Sequence, residues 1–348
     1  RRAGAGGPGR SGHDAMTTTP TLARRARRLL TAAAAAALMA ACGGGTSQIE
    51  PFIADRLVVF GDEHSVLTPA GPQPEFEPGG PLGLDGASGR RYGVNQLKAD
   101  DSLDCLVNPI WVQELARQYA LVFPECNPTN AAVTNATMRA KVGAKSADLV
   151  TQIDAYVAAG GVQGKVMTTV LVGANDVLEL YRQFPAVPEA DLITEARRRG
   201  DATAAQVNRL IGLGARVLLA TVPDIGLSPY ALAQKAAHTD TDRAALISRL
   251  VAAYNVRMRA SIINDGRFVG LVLADEAVQA VVKSPAGFGL VNVTQPVCNV
   301  KLPDCTVKTM VQDGNATTWL WADTLRLAHG GQLRIGAIAL ARATGNPF

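Results

Sequence analysis

Aromatic side chains are few, with Phe, Tyr and Trp together at 5% of 348 residues, and histidine is scarcer still at four. Those four, His13, His64, His238 and His329, show no H-E-x-x-H spacing, and the cysteines form no C-x-x-C knuckle. Nothing in the pattern therefore calls for zinc or for any other cofactor. No apolar run is long enough for a dedicated membrane-spanning helix; the N-terminal one, from Leu29 to Ala41, stops at thirteen residues. Charge of one sign is missing where it would matter. The net charge of +4 comes from residues 1–41, which hold seven Arg against one Asp. The rest of the chain has 27 basic residues against 29 acidic ones, a balance that favours no nucleic-acid partner. What remains is 47% hydrophobic and 18% charged, the composition of a folded globular chain with a sizeable core.

The N-terminus reads as an address. Residues 1–15 form a Gly/Arg-rich stretch without periodicity, placed upstream of a start at Met16. The cluster Arg24-Arg25-Ala26-Arg27-Arg28 then precedes the apolar run, a charged region followed by a short hydrophobic one, as in a signal peptide over 1–41. The run ends in Leu38-Met39-Ala40-Ala41-Cys42 and is followed by Gly43-Gly44-Gly45, which resembles a bacterial lipobox. That resemblance implies lipidation of Cys42, a flexible tether over 42–54, and a membrane partner at the cell envelope. Gly43, rather than Asp, points to the outer membrane. Four cysteines remain in the exported part: Cys105, Cys126, Cys298 and Cys305. An oxidising compartment pairs them into two disulfides. Three connectivities are open, with 105–126 and 298–305, the local pairing, favoured.

Residues 55–348 read as a single domain with a long Pro/Gly-rich insertion at about 66–104. Arg56–Phe60, 166–172, 216–222 and 268–273 are short apolar runs, each read as a buried strand. Helical patterns lie between and after them, at 109–123, 146–159, 189–211, 239–264 and 331–343. Strands apolar throughout, alternating with helices, predict an α/β doubly wound parallel sheet of flavodoxin-like type, in three layers. In such sheets the chemistry sits at the carboxyl ends of the strands.

Those ends carry Phe60-Gly61-Asp62-Glu63-His64-Ser65, Gly173-Ala174-Asn175-Asp176, Pro223-Asp224-Ile225-Gly226 and, near the C-terminus, Asp323-Thr324-Leu325-Arg326. Lys141-Val142-Gly143 with Ser146, Asp148 and Gln152 lies between the first two. In this order the motifs resemble the SGNH (GDSL) hydrolases, serine esterases and lipases on a flavodoxin-like sheet, over most of 55–345. The resemblance implies a Ser nucleophile at position 63, a general-base His at 326 oriented by Asp323, and an oxyanion hole built from Gly143 and Asn175.

Two of those positions depart from the pattern. Position 63 is Glu and position 326 is Arg. A guanidinium stays protonated and cannot act as a base, so the ordinary Ser–His mechanism is not available. The two replacements carry opposite charges at positions that sit within hydrogen-bond reach in the family, and a Glu63–Arg326 ion pair with Asp323 alongside is the expected outcome. The leading expectation is a catalytically impaired SGNH-like envelope protein that binds a small acyl-ester or glycan ligand. One alternative is an active ester hydrolase using Ser65 and His329, with His64 as a further candidate at the same loop. Another is a non-catalytic structural protein of the envelope. The triple Arg197-Arg198-Arg199 reads as a solvated helix patch.

Overall fold

A computed structural model describes residues 52–71 and 86–345. The signal segment, Cys42, most of the tether and residues 72–85 of the insertion lie outside the described residues. Among those described, no helix is long and apolar enough to cross a membrane.

The main sheet is built from β1 (Arg56–Gly61), β4 (Ala136–Met138), β5 (Val166–Leu171), β6 (Arg216–Ala220) and β7 (Val269–Val272), all parallel, in the order β4-β1-β5-β6-β7. Counted along the chain, that is 2-1-3-4-5, the flavodoxin-like order. Its strands are apolar on both faces because helices cover both. Alternate residues separate the two cores, as the two-residue repeat of a strand requires. Val58, Phe60, Val170 and Leu219 face Leu149, Val177, Leu210 and Leu250. These come from α2 (Asp148–Ala158), α3 (Ala174–Tyr181), α4 (Glu189–Gly212) and α6 (Arg243–Ser261). Leu57, Val59, Leu171 and Leu218 face Trp111, Val278 and Ile335 on the other side. These belong to α1 (Trp111–Gln118), α7 (Ala274–Lys283) and α8 (His329–Thr344), while α5 (Pro229–Ala237) packs near the carboxyl end of the sheet. Two small ladders complete the fold. One pairs β2 (Gln96–Leu97) with β3 (Leu103–Asp104) in the insertion; the other pairs β8 (Asn292–Pro296) with β9 (Trp319–Trp321).

The four expected strands are all present; β1 runs one residue further, to Gly61, and the other three are shortened by one or two residues. The first helix is trimmed more, from 109–123 to Trp111–Gln118, because Ala120 takes a left-handed φ of 52° that no helix continues through. The edge strand β4 and the helices α3, α5 and α7 were not among the expected elements. Both disulfides join neighbours in sequence, Cys105–Cys126 and Cys298–Cys305, so of the three connectivities the local one is present.

Candidate active site

The order of the sheet reverses between β1 and β5, and the loops leaving those two strands face each other across that point. Ligands of open α/β sheets lie at such a switch point. β1 runs straight into its loop because Gly61 has φ 122° and no room for a side chain. A Cβ there would stand 1.9 Å from the Leu171 carbonyl oxygen. Gln152 of α2 secures the strand end, donating to the Gly61 carbonyl at 2.9 Å while its own carbonyl accepts from the Gly61 N–H at 2.8 Å. A single 3-10 turn over Glu63–Ser65 follows, started by Asp62, whose side chain accepts from the His64 N–H.

That turn aims Glu63 across the switch point. Its Oε1 accepts from Arg326 Nη2 at 2.7 Å and Nε at 3.2 Å. Its Oε2 accepts from the Gly143 N–H at 2.9 Å and from Asn175 Nδ2 at 3.0 Å. Four donors match the roughly four lone-pair sites of a carboxylate. The side chain is 2% exposed. Burial by itself pushes the Glu63 carboxyl up, but the Arg326 charge, helped by His64 and by the Arg326 and Asn175 hydrogen bonds, outweighs it and brings the carboxyl down to about 2. Arg326 is likewise lowered by burial and raised more by Glu63 and Asp323, so it stays charged.

Each partner is held in turn. Asp323 opens a tight loop after β9. Its Oδ1 accepts from the Leu325 and Arg326 N–H groups at 2.8 and 2.6 Å, and its Oδ2 accepts from Arg326 Nη1 at 3.0 Å. Gly143 stands at φ 71° with nothing within 4 Å of where a Cβ would be, so its N–H is presented without obstruction. Asn175, in the first turn of α3, also donates to the Ala144 carbonyl at 3.1 Å. Asp176 clamps the same loop by accepting from the Ser146 N–H and hydroxyl, both at 2.8 Å, and from Arg199 Nη1 at 3.3 Å. Arg199 also bonds Glu195 and Glu179 and is 15% exposed. It therefore leaves the solvated patch expected for the Arg triple and serves as a brace behind the Gly143–Ser146 loop. The Ser146–Asp176 clamp was the part of the site that motif reading left out, although both residues lie inside the motifs.

The structure keeps Ser65 and His329 apart in role. The Ser65 hydroxyl is fully buried and accepts from the Trp111 indole N–H at 3.0 Å. His329 Nδ1 pairs with the Pro109 carbonyl at 3.0 Å, and no hydrogen bond joins the two residues. Burial pushes the His329 imidazole down. His64 is buried as well, with Nδ1 on Asp62 Oδ1 at 2.9 Å, so it does not face solvent or a ligand from the loop surface. Burial also pushes the Asp62 carboxyl up, against the pull of His64. Among the described residues, no group of three or more His, Cys, Asp or Glu is arranged to hold a metal.

No protein-family model matches the chain, and no curated protein matches it in sequence. Solved structures do align with it. A lipase from a goat rumen metagenome shares 11% identity, covering 84% of this chain and 98% of its own, with a TM-score of 0.46. A member of the lipolytic G-D-S-L family from Veillonella parvula shares 11% identity over 82% and 96%, with a TM-score of 0.40. An acetylxylan esterase from Geobacillus stearothermophilus shares 14% identity over 85% and 97%, with a TM-score of 0.39.

The sheet has the flavodoxin-like strand order that the resemblance to the SGNH/GDSL hydrolases implies.

The two positions that the resemblance assigns to an oxyanion hole are filled from within. The Gly143 N–H and the Asn175 amide, which in the resemblance would hold the negative oxygen of a tetrahedral intermediate, hold a carboxylate oxygen of Glu63 instead. An ester oxygen developing charge there would meet a resident anion at hydrogen-bonding distance, and like charges so close repel.

Proposed function

We propose that the chain is a non-hydrolytic SGNH-like protein of the bacterial envelope that binds a small acyl-ester or glycan ligand at the mouth of this site. The observation that carries the reading is the fourfold-bonded Glu63 carboxylate, standing at the nucleophile position with its oxygen on the oxyanion donors. A carboxylate held near pKa 2 is a weak nucleophile, Arg326 accepts no proton, and among the described residues no second base is hydrogen-bonded to Glu63 to activate water. Binding is supported by what stays open. Arg326 and Asp323 are 25% and 20% exposed, and Lys141 and Lys145 edge the Gly143 loop. Polar, partly solvated groups at a switch point suit a hydroxyl- or carbonyl-bearing ligand. The lipobox reading adds attachment to the outer membrane through Cys42.

The test is a thermal-stability screen of the mature chain against acetylated oligosaccharides and short-chain acyl esters. A ligand that binds only the native state must raise the melting temperature as its concentration rises, and Arg326→Ala should abolish the shift. A full panel without any shift would leave a structural role in the envelope as the better reading. Fractionation of cells carrying Cys42→Ser tests the anchor: the protein should leave the membrane fraction.

A further inference from the structure

Because all five strands of the main sheet run the same way, the molecule has two unlike edges. The Glu63–Arg326 site occupies the carboxyl edge. The amino edge, about 20 Å away along the six residues of β1, is where the chain enters the domain at Phe52–Asp55. At that edge Arg216, the first residue of β6, lies between the rings of Phe52 and Phe268, with its guanidinium carbon 5.3 and 5.1 Å from the centroids. Arg267 adds a second cation beside Phe268 at 5.5 Å. Each of three turns leading into a strand exposes a branched aliphatic side chain here: Ile53 before β1, Leu213 before β6 and Ile263 before β7, which are 61%, 41% and 45% exposed. Arg56 and Lys165 are exposed beside them. The carboxylates nearby are engaged, Asp265 with Arg267 at 2.7 Å and Asp55 with the Lys165 backbone N–H.

We propose that this amino edge is a docking surface for an anionic phospholipid bilayer, with the Glu63–Arg326 site facing away from the membrane. The proposal rests on the reading of Cys42 as a lipid anchor. Nine residues separate Cys42 from Phe52, ten Cα-to-Cα steps that span at most ~35 Å when fully extended, and they join the domain at this edge and not at the site. A lipid at Cys42 therefore holds the amino edge within ~35 Å of the bilayer. Exposed aliphatics flanked by Arg and Lys stems fit an interface where apolar groups enter the acyl boundary and cations stay among the headgroups.

The experiment uses the mature lipidated chain, reconstituted into vesicles of phosphatidylethanolamine and phosphatidylglycerol and compared with the same chain in detergent. Amide hydrogen exchange should slow on vesicles at 52–56, 162–165, 213–216 and 263–268, and stay unchanged at 141–146, 174–176 and 323–326. The double variant Ile53→Asp/Ile263→Asp should lose the slowing while still floating with the vesicles. Flotation that does not depend on Cys42 overturns the anchor reading and this proposal with it. A chain that floats through Cys42 but slows nowhere along the amino edge, or slows at 323–326, overturns the docking surface alone. Protection of the amino edge already present in detergent, growing with protein concentration, would assign that edge to a second copy of the chain instead.

Discussion

Glu63 and Arg326 are an ion pair in which neither partner can be removed alone without cost. Glu63 is almost wholly out of water, and its desolvation is offset by the guanidinium and by two neutral donors. Arg326→Ala takes away the charge and two of the four hydrogen bonds, leaving a buried carboxylate on Gly143 and Asn175 only. Chemical denaturation should show a loss of about 3 kcal/mol or more. The double variant Glu63→Ala/Arg326→Ala should cost less than the sum of the two single changes, because the second substitution removes the group stranded by the first. The same residue sets an acid limb of the stability curve. The Glu63 carboxyl stands at about 2 in the folded chain against 4.5 when unconstrained, and a shift of that size is worth about 3 kcal/mol. A depressed carboxyl stabilises fully above its unfolded value, so the contribution is present above pH 4.5 and drains away as the pH falls towards 2. Glu63→Gln should flatten that part of the pH–stability profile; an unchanged slope between pH 4.5 and 2 would assign it to other carboxylates.

At the scale of elements, the site depends on how strand ends become loops, and two glycines show different ways of doing so. Gly61 needs its missing Cβ for space as well as for φ, since the Leu171 carbonyl occupies the place. Gly143 needs only its φ of 71°, because nothing stands within 4 Å. Gly61→Ala should therefore prevent folding or shift β1 against β5, seen as loss of soluble protein. Gly143→Ala should fold with a penalty of about 1–2 kcal/mol, the strain of a left-handed residue with a Cβ. Equal tolerance of the two changes would contradict the geometry. The long elements are legible in the sequence because β1, β5, β6 and β7 are apolar runs and α4 and α6 are long enough to show a helical period. The short ones are harder to see. α5 begins with Ser228, whose hydroxyl accepts from the Ala231 N–H, and with Pro229 in the first turn. Both are start signals, hidden in a stretch that also reads as a Pro/Gly turn. α3 follows Gly173 directly, so Asn175 and Asp176 look like turn residues until the first helical turn is seen to place one on Glu63 and the other on Ser146. β4 is three residues long and meets β1 only by tertiary pairing, which no local pattern carries.

For the whole molecule, the sheet order decides where distant residues meet. Position 63 leaves the second strand of the sheet, position 175 the third, and position 326 a loop more than 250 residues later in the chain, yet all three converge at the point where the strand order reverses. The pairing of charges at 63 and 326 is legible in the sequence once those positions are matched to the SGNH pattern, because Glu and Arg are complementary. The occupation of the Gly143 N–H and the Asn175 amide by Glu63 itself is not, since it depends on which lone pair of the carboxylate turns towards Gly143. Ser65 and His329 illustrate the opposite case, two residues close to the motif in sequence that the packing of Trp111 and Pro109 commits elsewhere.

The most direct measurement is hydrolysis of p-nitrophenyl acetate by the mature chain, run beside Asn175→Ala and beside Glu63→Ser/Arg326→His. Glu63 standing on the Gly143 and Asn175 donors predicts that the native chain does not exceed the uncatalysed rate and that the double variant does, with its gain lost again when Asn175→Ala is added. Turnover by the native chain that collapses with Asn175→Ala would show the oxyanion donors in use for catalysis, and would contradict the account.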